Sequence, residues 1–287
     1  MALSKVTDTF AELPLSVKVI GGTAVAGTFF LTVWRRLSVR KSERKVYPPD
    51  TIVICQIGRG PHVPSLSNFA IKIETYLRLE GIPYQVEHNK FRRSKKTGKI
   101  PFIEYNGEEV SDTEFILEFL SKKKRFDLYR GLTSEQIAVG RAFQKMIEEN
   151  SYWCVLTERW VHEKSYAIQK AIGVPRYLWG TLQRQMKKMV YVQGMGRHTP
   201  EEIRYIFSED LKALSTYIGS KKFLFGEEAC KFDCAIFGLL ANIYWAPFDG
   251  LVSSVIKEYP NLCEYCERMK EAFWPDWEEM IQKDCTR

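Results

Sequence analysis

The fifteen residues from Lys99 to Thr113, Lys-Ile-Pro-Phe-Ile-Glu-Tyr-Asn-Gly-Glu-Glu-Val-Ser-Asp-Thr, constrain this fold more than any other stretch. Phe102 and Ile103 open a β-prone run. Asn106-Gly107 supplies two residues that tolerate the positive φ of a tight hairpin turn. Ser111-Asp112-Thr113-Glu114 then has capping-box spacing, a hydroxyl three residues before a carboxylate. Phe115, Ile116, Phe119 and Leu120 follow at helical spacing. The pattern predicts strand, turn, short strand and a helix capped by Ser111. Such a cap is worth about 1 kcal/mol and requires no ligand.

The flanking sequence supplies more of the same layer. Thr51 to Ile57 is a β-branched run bounded by Gly58 and Pro61, which predicts a buried strand. Gly58-Arg59-Gly60 lacks the third glycine of a dinucleotide loop. Ser67 is placed to cap a helix with Phe69, Ile73, Tyr76 and Leu77 on one face, and Gly81-Ile82-Pro83 ends it. Tyr84 to His88 reads as a second strand, parallel to the first because a helix intervenes. Lys90, Arg92, Arg93, Lys95, Lys96 and Lys99 then form a basic loop: a solvated segment, or a site for a ligand carboxylate or acidic lipid headgroups.

After Lys122-Lys123-Lys124-Arg125, suited to a helix C-terminus, strand signals stop. Helices are predicted over 133–163, 177–192, 200–218, 233–244, 252–259 and 261–273. Trp153, Trp160, Trp179 and Trp245 are expected in their core. The fold class is an α/β N-terminal domain over 51–125, followed by an all-α domain over 133–287.

The first fifty residues read differently. Val19 to Trp34 are sixteen uncharged positions, about 24 Å as a helix against a bilayer core of about 30 Å, so a span needs the whole of 14–34. A buried soluble helix is the alternative. Six cations from Arg35 to Lys45 face one acid, Glu43. This flank predicts a single-pass anchor with the C-terminal bulk in the cytosol. The chain's net charge of +7 is concentrated locally, which argues against nucleic-acid binding. Seven cysteines, Cys55, Cys154, Cys230, Cys234, Cys263, Cys266 and Cys285, fit reduced thiols. Cys263 and Cys266 lie in a helical pattern with no second pair, and the four histidines lack ligand spacing, so no metal site is expected.

The order of residues around Ile100-Pro101 and Asp112-Thr113 resembles the core of glutathione-transferase domains, whose N-terminal half is thioredoxin-like. In that family an Ile-Pro or Val-Pro bond is cis and aims a main-chain amide at glutathione. An acid and a hydroxyl at a helix start hold the γ-glutamyl end. The resemblance assigns those roles to Ile100, Pro101, Asp112 and Thr113, with Lys99 beside them. Pro64-Ser65-Leu66-Ser67, Lys72 to Arg78, and Phe91 to Lys96 leading into Pro101-Phe102 resemble the failed axon connections and metaxin proteins. Phe223-Leu224-Phe225-Gly226 to Phe237 resembles the helix start of transferase C-terminal domains. Tyr259-Pro260-Asn261-Leu262 and Trp274-Pro275-Asp276-Trp277 resemble the failed axon connections group and its cadmium-responsive nematode relatives.

The resemblance spans residues 51 to 280 and implies a membrane-associated transferase-like protein with a role in axon development. Two departures bear on chemistry. Counting back from Gly81-Ile82-Pro83-Tyr84, the family's thiolate-holding Ser or Cys position falls at Phe69, which can neither donate to a thiolate nor attack a disulfide. Cys230 stands where the family has Ser or Thr before a buried Asp, here Asp233, which predicts a weaker helix start. Three readings follow. One is a binding or scaffold protein without transferase chemistry. The second is a glutathione-dependent enzyme using Ser67 or Ser65. The third is a metaxin-like import component of the mitochondrial outer membrane, disfavoured by an apolar segment at the N-terminal rather than the C-terminal end. The protein partner is left unidentified and a homodimer is left open.

Overall fold

The computed structural model describes residues 47–89, 92–246, 248 and 250–281. The chain divides into Met1–Pro48 and Pro49–Arg287, and the sheet and helices lie in the second unit. The expected anchor over 14–34, most of the basic linker, Lys90, Phe91 and Cys285 lie outside the described residues. Among the described residues no helix is long and apolar enough to cross a membrane.

Strand β1 (Ile52–Gln56) is buried along its whole length. It lies between β2 (Tyr84–His88), which runs parallel to it, and β3 (Phe102–Tyr105), which runs antiparallel. β4 (Glu108–Ser111) completes the order β2-β1-β3-β4, joined to β3 through Asn106 and Gly107, both at positive φ as the hairpin requires. Ile54 sits opposite Val86 and Ile103 in the ladder. Helices α1 (Asn68–Leu79) and α2 (Thr113–Lys124) supply Ile73, Leu77, Ile116 and Leu120 to the core beside the sheet. Phe115, expected on that face, is exposed instead. No helix lies between β2 and β3 among the described residues. Ser94 organises the basic loop there, its Oγ accepting from the Lys96 and Thr97 amides.

The expected Ser111 capping box does not form. Ser111 is the last residue of β4, and Asp112 caps α2 by accepting from the Glu114 amide at 3.1 Å. Glu114 cannot close the box because its carboxylate is drawn to Lys72 and Lys231. Real boxes open α3 (Ser134–Met146), through Thr133 and Gln136, and α7 (Pro200–Ile218), through Thr199 and Glu202.

The helical half follows the sequence closely. α3 continues through a π turn (Ile147–Ser151), α4 (Tyr152–Thr157) and a second π turn (Glu158–His162), matching the expected run over 133–163. Then come α5 (Ala167–Ile172), α6 (Arg176–Gln193), α7, α8 (Lys231–Tyr244), α9 (Leu251–Ser254), α10 (Pro260–Phe273) and α11 (Trp277–Met280). α8 is buried from Lys231 to Ile243 and carries the main core. It begins with Asp233 accepting from the Cys230 amide at 2.9 Å and from its thiol at 3.1 Å, so the carboxylate serves where the thiol caps poorly. Burial pushes the Asp233 pKa up, opposed by bonds from Leu224, Cys230 and Tyr265. All six described cysteines are free, and Cys266 packs inside the core.

Candidate functional site

Helix α1 determines how the site is built. It is buried from Ala70 through Leu77, and four of its polar residues are each tied to a different part of the fold. Lys72 Nζ donates to Glu114 and Glu148 at 2.6 Å each and to Thr113 Oγ1 at 3.1 Å. Glu74 accepts from Gln56 at 2.6 Å, Arg59 at 2.7 Å and the Tyr84 hydroxyl at 3.1 Å. Thr75 Oγ1 accepts from Trp274 Nε1 at 3.0 Å. Arg78 makes a two-pronged pair with Asp276, at 2.5 and 2.9 Å, and lies 4.0 Å from the centre of the Trp274 ring. A buried helix with these side chains is tolerated because every one is satisfied.

The N-terminus of α1 opens onto a cleft of about 530 Å³ between the sheet-bearing and helical halves. One wall carries Ser67, Phe69, Lys99, Ile100, Asp112 and Thr113. The Ile100–Pro101 bond is cis, as the resemblance implies. Ser67 caps α1, its Oγ accepting from the Ala70 amide at 3.4 Å. Among the described residues its own O–H donates to nothing, and it sits where helix N–H groups favour a thiolate. Ser65 is fully buried outside the lining and accepts from the Ser67 amide at 3.2 Å. Pro101 is buried behind Ile100. Lys99 is exposed on the rim. Asp112 stands at φ 74°, ψ 126°, a conformation that turns the chain sharply from β4 into α2.

The opposite wall is apolar and aromatic: Tyr152, Trp153, Leu156, Trp160, Met186 and Leu239. Two of the tryptophans expected in the core, Trp153 and Trp160, are half-buried here instead. They lie on α4 and on the π turn that continues it, and both line the cleft. Trp160 stacks on the buried Trp179 at 5.2 Å. Phe69 meets Tyr152 edge-on at 5.1 Å, which closes the two walls on each other beside Ser67. Both π turns contribute lining residues, Glu148 and Glu149 from the first and Arg159 and Trp160 from the second. Such turns widen a helix and are frequent at functional sites.

Two charged groups on the lining have displaced pKa values. Arg159 is buried, donating to the carbonyls of Asn242 and Ala246 at 2.7 and 2.9 Å; burial pulls its pKa down to about 10. Glu114 is desolvated, yet Lys72 and Lys231 more than offset this and hold its pKa at about 2. The basic loop is less free than its composition suggested, because Arg92 is paired with Glu87 at 2.6 Å and with Glu104. Cys55 beside it has a pKa pushed up by burial to about 12, which leaves it an inert thiol at neutral pH. Among the described residues no group of His, Cys, Asp and Glu is arranged to hold a metal ion.

A four-stranded sheet with a cis-proline loop, joined to a helical bundle across such a cleft, defines the glutathione-transferase fold. Family models for the glutathione S-transferase N-terminal and C-terminal domains match residues 68–165 and 207–269. A β-etherase structure from Sphingobium aligns with TM-score 0.55 and 17% identity, over 80% of this chain and 98% of its own. A Methylobacterium radiotolerans transferase in complex with glutathione sulfonate aligns at 0.51 and 15%, over 80% and 94%. At those identities the likeness concerns the fold alone.

Sequence relatives are more specific. Failed axon connections of Drosophila melanogaster is 33% identical over 258 residues, 83% of this chain and 61% of that protein. An isoprene-epoxide–glutathione S-transferase of a Rhodococcus strain is 27% identical over 224 residues, 74% and 94% of the two chains. Metaxin-1 of Sus scrofa is 27% identical over 236 residues, 76% and 74%. The chain thus belongs to the failed axon connections and metaxin-like family of glutathione-transferase-fold proteins, and spans about three-fifths of the first of these relatives.

Proposed function

We propose that the protein binds glutathione in this cleft, with an apolar group against the aromatic wall, and acts by holding the ligand rather than by conjugating it. The observation that carries this reading is the convergence of Ser67, the cis Ile100–Pro101 peptide and the Asp112-Thr113 helix start on one wall. Asp112 and Thr113 would take the γ-glutamyl end, the Ile100 backbone the cysteinyl main chain, and Lys99 the outer carboxylate. The sulfur would then lie between Ser67 and Phe69. Phe69 offers it a ring but no proton donor.

Conjugation through Ser67 is the second reading, favoured by the hydroxyl at the α1 N-cap on the cleft wall. Assay of the full chain with glutathione and an electrophile separates the two. The holding reading expects saturable glutathione binding with no turnover above the uncatalysed rate. Turnover abolished by Ser67→Ala would establish the second. The apolar stretch over 14–34 would tether this function to a membrane, with the C-terminal bulk in the cytosol. Lys95, Lys96 and Lys99 would then be available to acidic headgroups, and the rest of the surface to a protein partner, whether in axon development or in metaxin-like import.

A further inference from the structure

Helix α6 presents a second surface that the cleft does not use. From Lys164 to Pro200 the chain contains no Asp or Glu. Four cations, Arg176, Arg184, Lys187 and Lys188, lie on α6 itself; Lys164 and Lys170 precede it and Arg197 follows it. All seven are exposed. None has an ion-pair partner among the described residues. Elsewhere arginines and lysines are commonly paired: Arg59, Lys72, Arg78, Arg92 and Lys231 all face carboxylates. Here two cations meet tyrosine rings instead, Arg176 over Tyr166 and Arg197 over Tyr191.

The same face carries large apolar groups. Tyr177 is 82% exposed and Val192 69%, with Leu178 and Tyr191 also exposed. Inward-facing Trp179 and Val190 hold the helix to the bundle, so its outer face is not occupied by this chain's own packing. Tyr177, Arg184, Lys188 and Tyr191 are spaced by seven, four and three residues, which places rings and cations together on the outer side.

We propose that the outer face of α6 docks on an anionic lipid bilayer. The missing counter-charges would come from headgroup phosphates and carboxylates, and the tyrosines, Leu178 and Val192 would enter the interfacial layer. A nucleic acid would use the cations and rings, yet would leave exposed Leu178 and Val192 without a partner. The inner side of α6 lines the cleft with Met186 and Met189. A bilayer on the outer face therefore lies one helix diameter, about 10 Å, from the ligand site.

The test is partitioning of the full chain onto phosphatidylcholine vesicles with and without phosphatidylserine, for wild type and R184E/K187E/K188E. The apolar N-terminal stretch and its basic flank are identical in both, so a difference belongs to α6. Loss of at least about fivefold per cation, hence about a hundredfold for three, is expected on the anionic vesicles, with no change on neutral ones. Y177S/V192S should weaken binding while keeping the salt dependence. The five positions are exposed, and matching circular dichroism melts confirm that each variant is folded. A triple variant that partitions like wild type overturns the proposal. So does single-stranded RNA that outcompetes the vesicles for the same face.

Discussion

At the scale of single residues, the decisive feature is a lysine in the middle of a buried helix. Lys72 bridges Glu114 and Glu148, and Gln144 donates to both at 2.7 and 2.9 Å. Removing one partner of such a cluster leaves buried charge unpaired. Lys72→Met is therefore expected to cost about 3–5 kcal/mol, read by urea denaturation. The pH dependence has a definite sign. The Glu114 pKa falls from 4.5 to about 2 on folding, so its contribution is complete above 4.5 and is lost as pH drops from there toward 2. The shift amounts to about 3 kcal/mol, and Glu114→Gln should flatten the acid limb of stability over that window. In the sequence Lys72 was visible as a cation inside an apolar stripe, but its partners lie 42 and 76 residues away. The same pull explains the misplaced cap. Local spacing favoured Ser111, whereas the tertiary demand on Glu114 moved the cap to Asp112.

At the scale of elements, α1 is the piece against which both halves are set. α8 approaches it at Gly238, where a Cβ would fall 2.5 Å from the Asn68 carbonyl oxygen. Asn242 Nδ2 donates to the Ser65 carbonyl at 3.2 Å one turn further along. Gly238→Ala must push the start of α1 outward. A stability loss of about 1–3 kcal/mol is expected by denaturant melt, together with weaker glutathione binding because Ser67 moves with it. The other end is held by Trp274-Pro275-Asp276-Trp277. Asp276→Asn removes a charged partner of Arg78 and should cost about 2 kcal/mol by the same measurement. Most of these elements could be read from residue order: four strands, the hairpin at Asn106-Gly107 and the long helices all stand where periodicity put them. The short helices α5 and α11 escaped, being too brief for a repeating pattern.

At the scale of the whole molecule, the cleft is a product of assembly and was only half legible. Its sheet-side wall could be named from the resemblance, because those residues are close in sequence to Ile100-Pro101 and to the α1 start. Its helical wall comes from five helices and the two π turns, and apolar spacing alone could not tell Trp153 and Trp160 from core tryptophans such as Trp179. Counting back from Gly81 had put the sulfur at Phe69. The structure brings both Phe69 and the Ser67 hydroxyl to the cleft, so binding and chemistry become separable questions. The most direct measurement is a calorimetric titration of the folded full chain with glutathione. Saturable binding is expected, falling at least about tenfold in Asp112→Ala, which would remove one charge-assisted bond to the ligand's ammonium. Absence of binding at millimolar glutathione would contradict it.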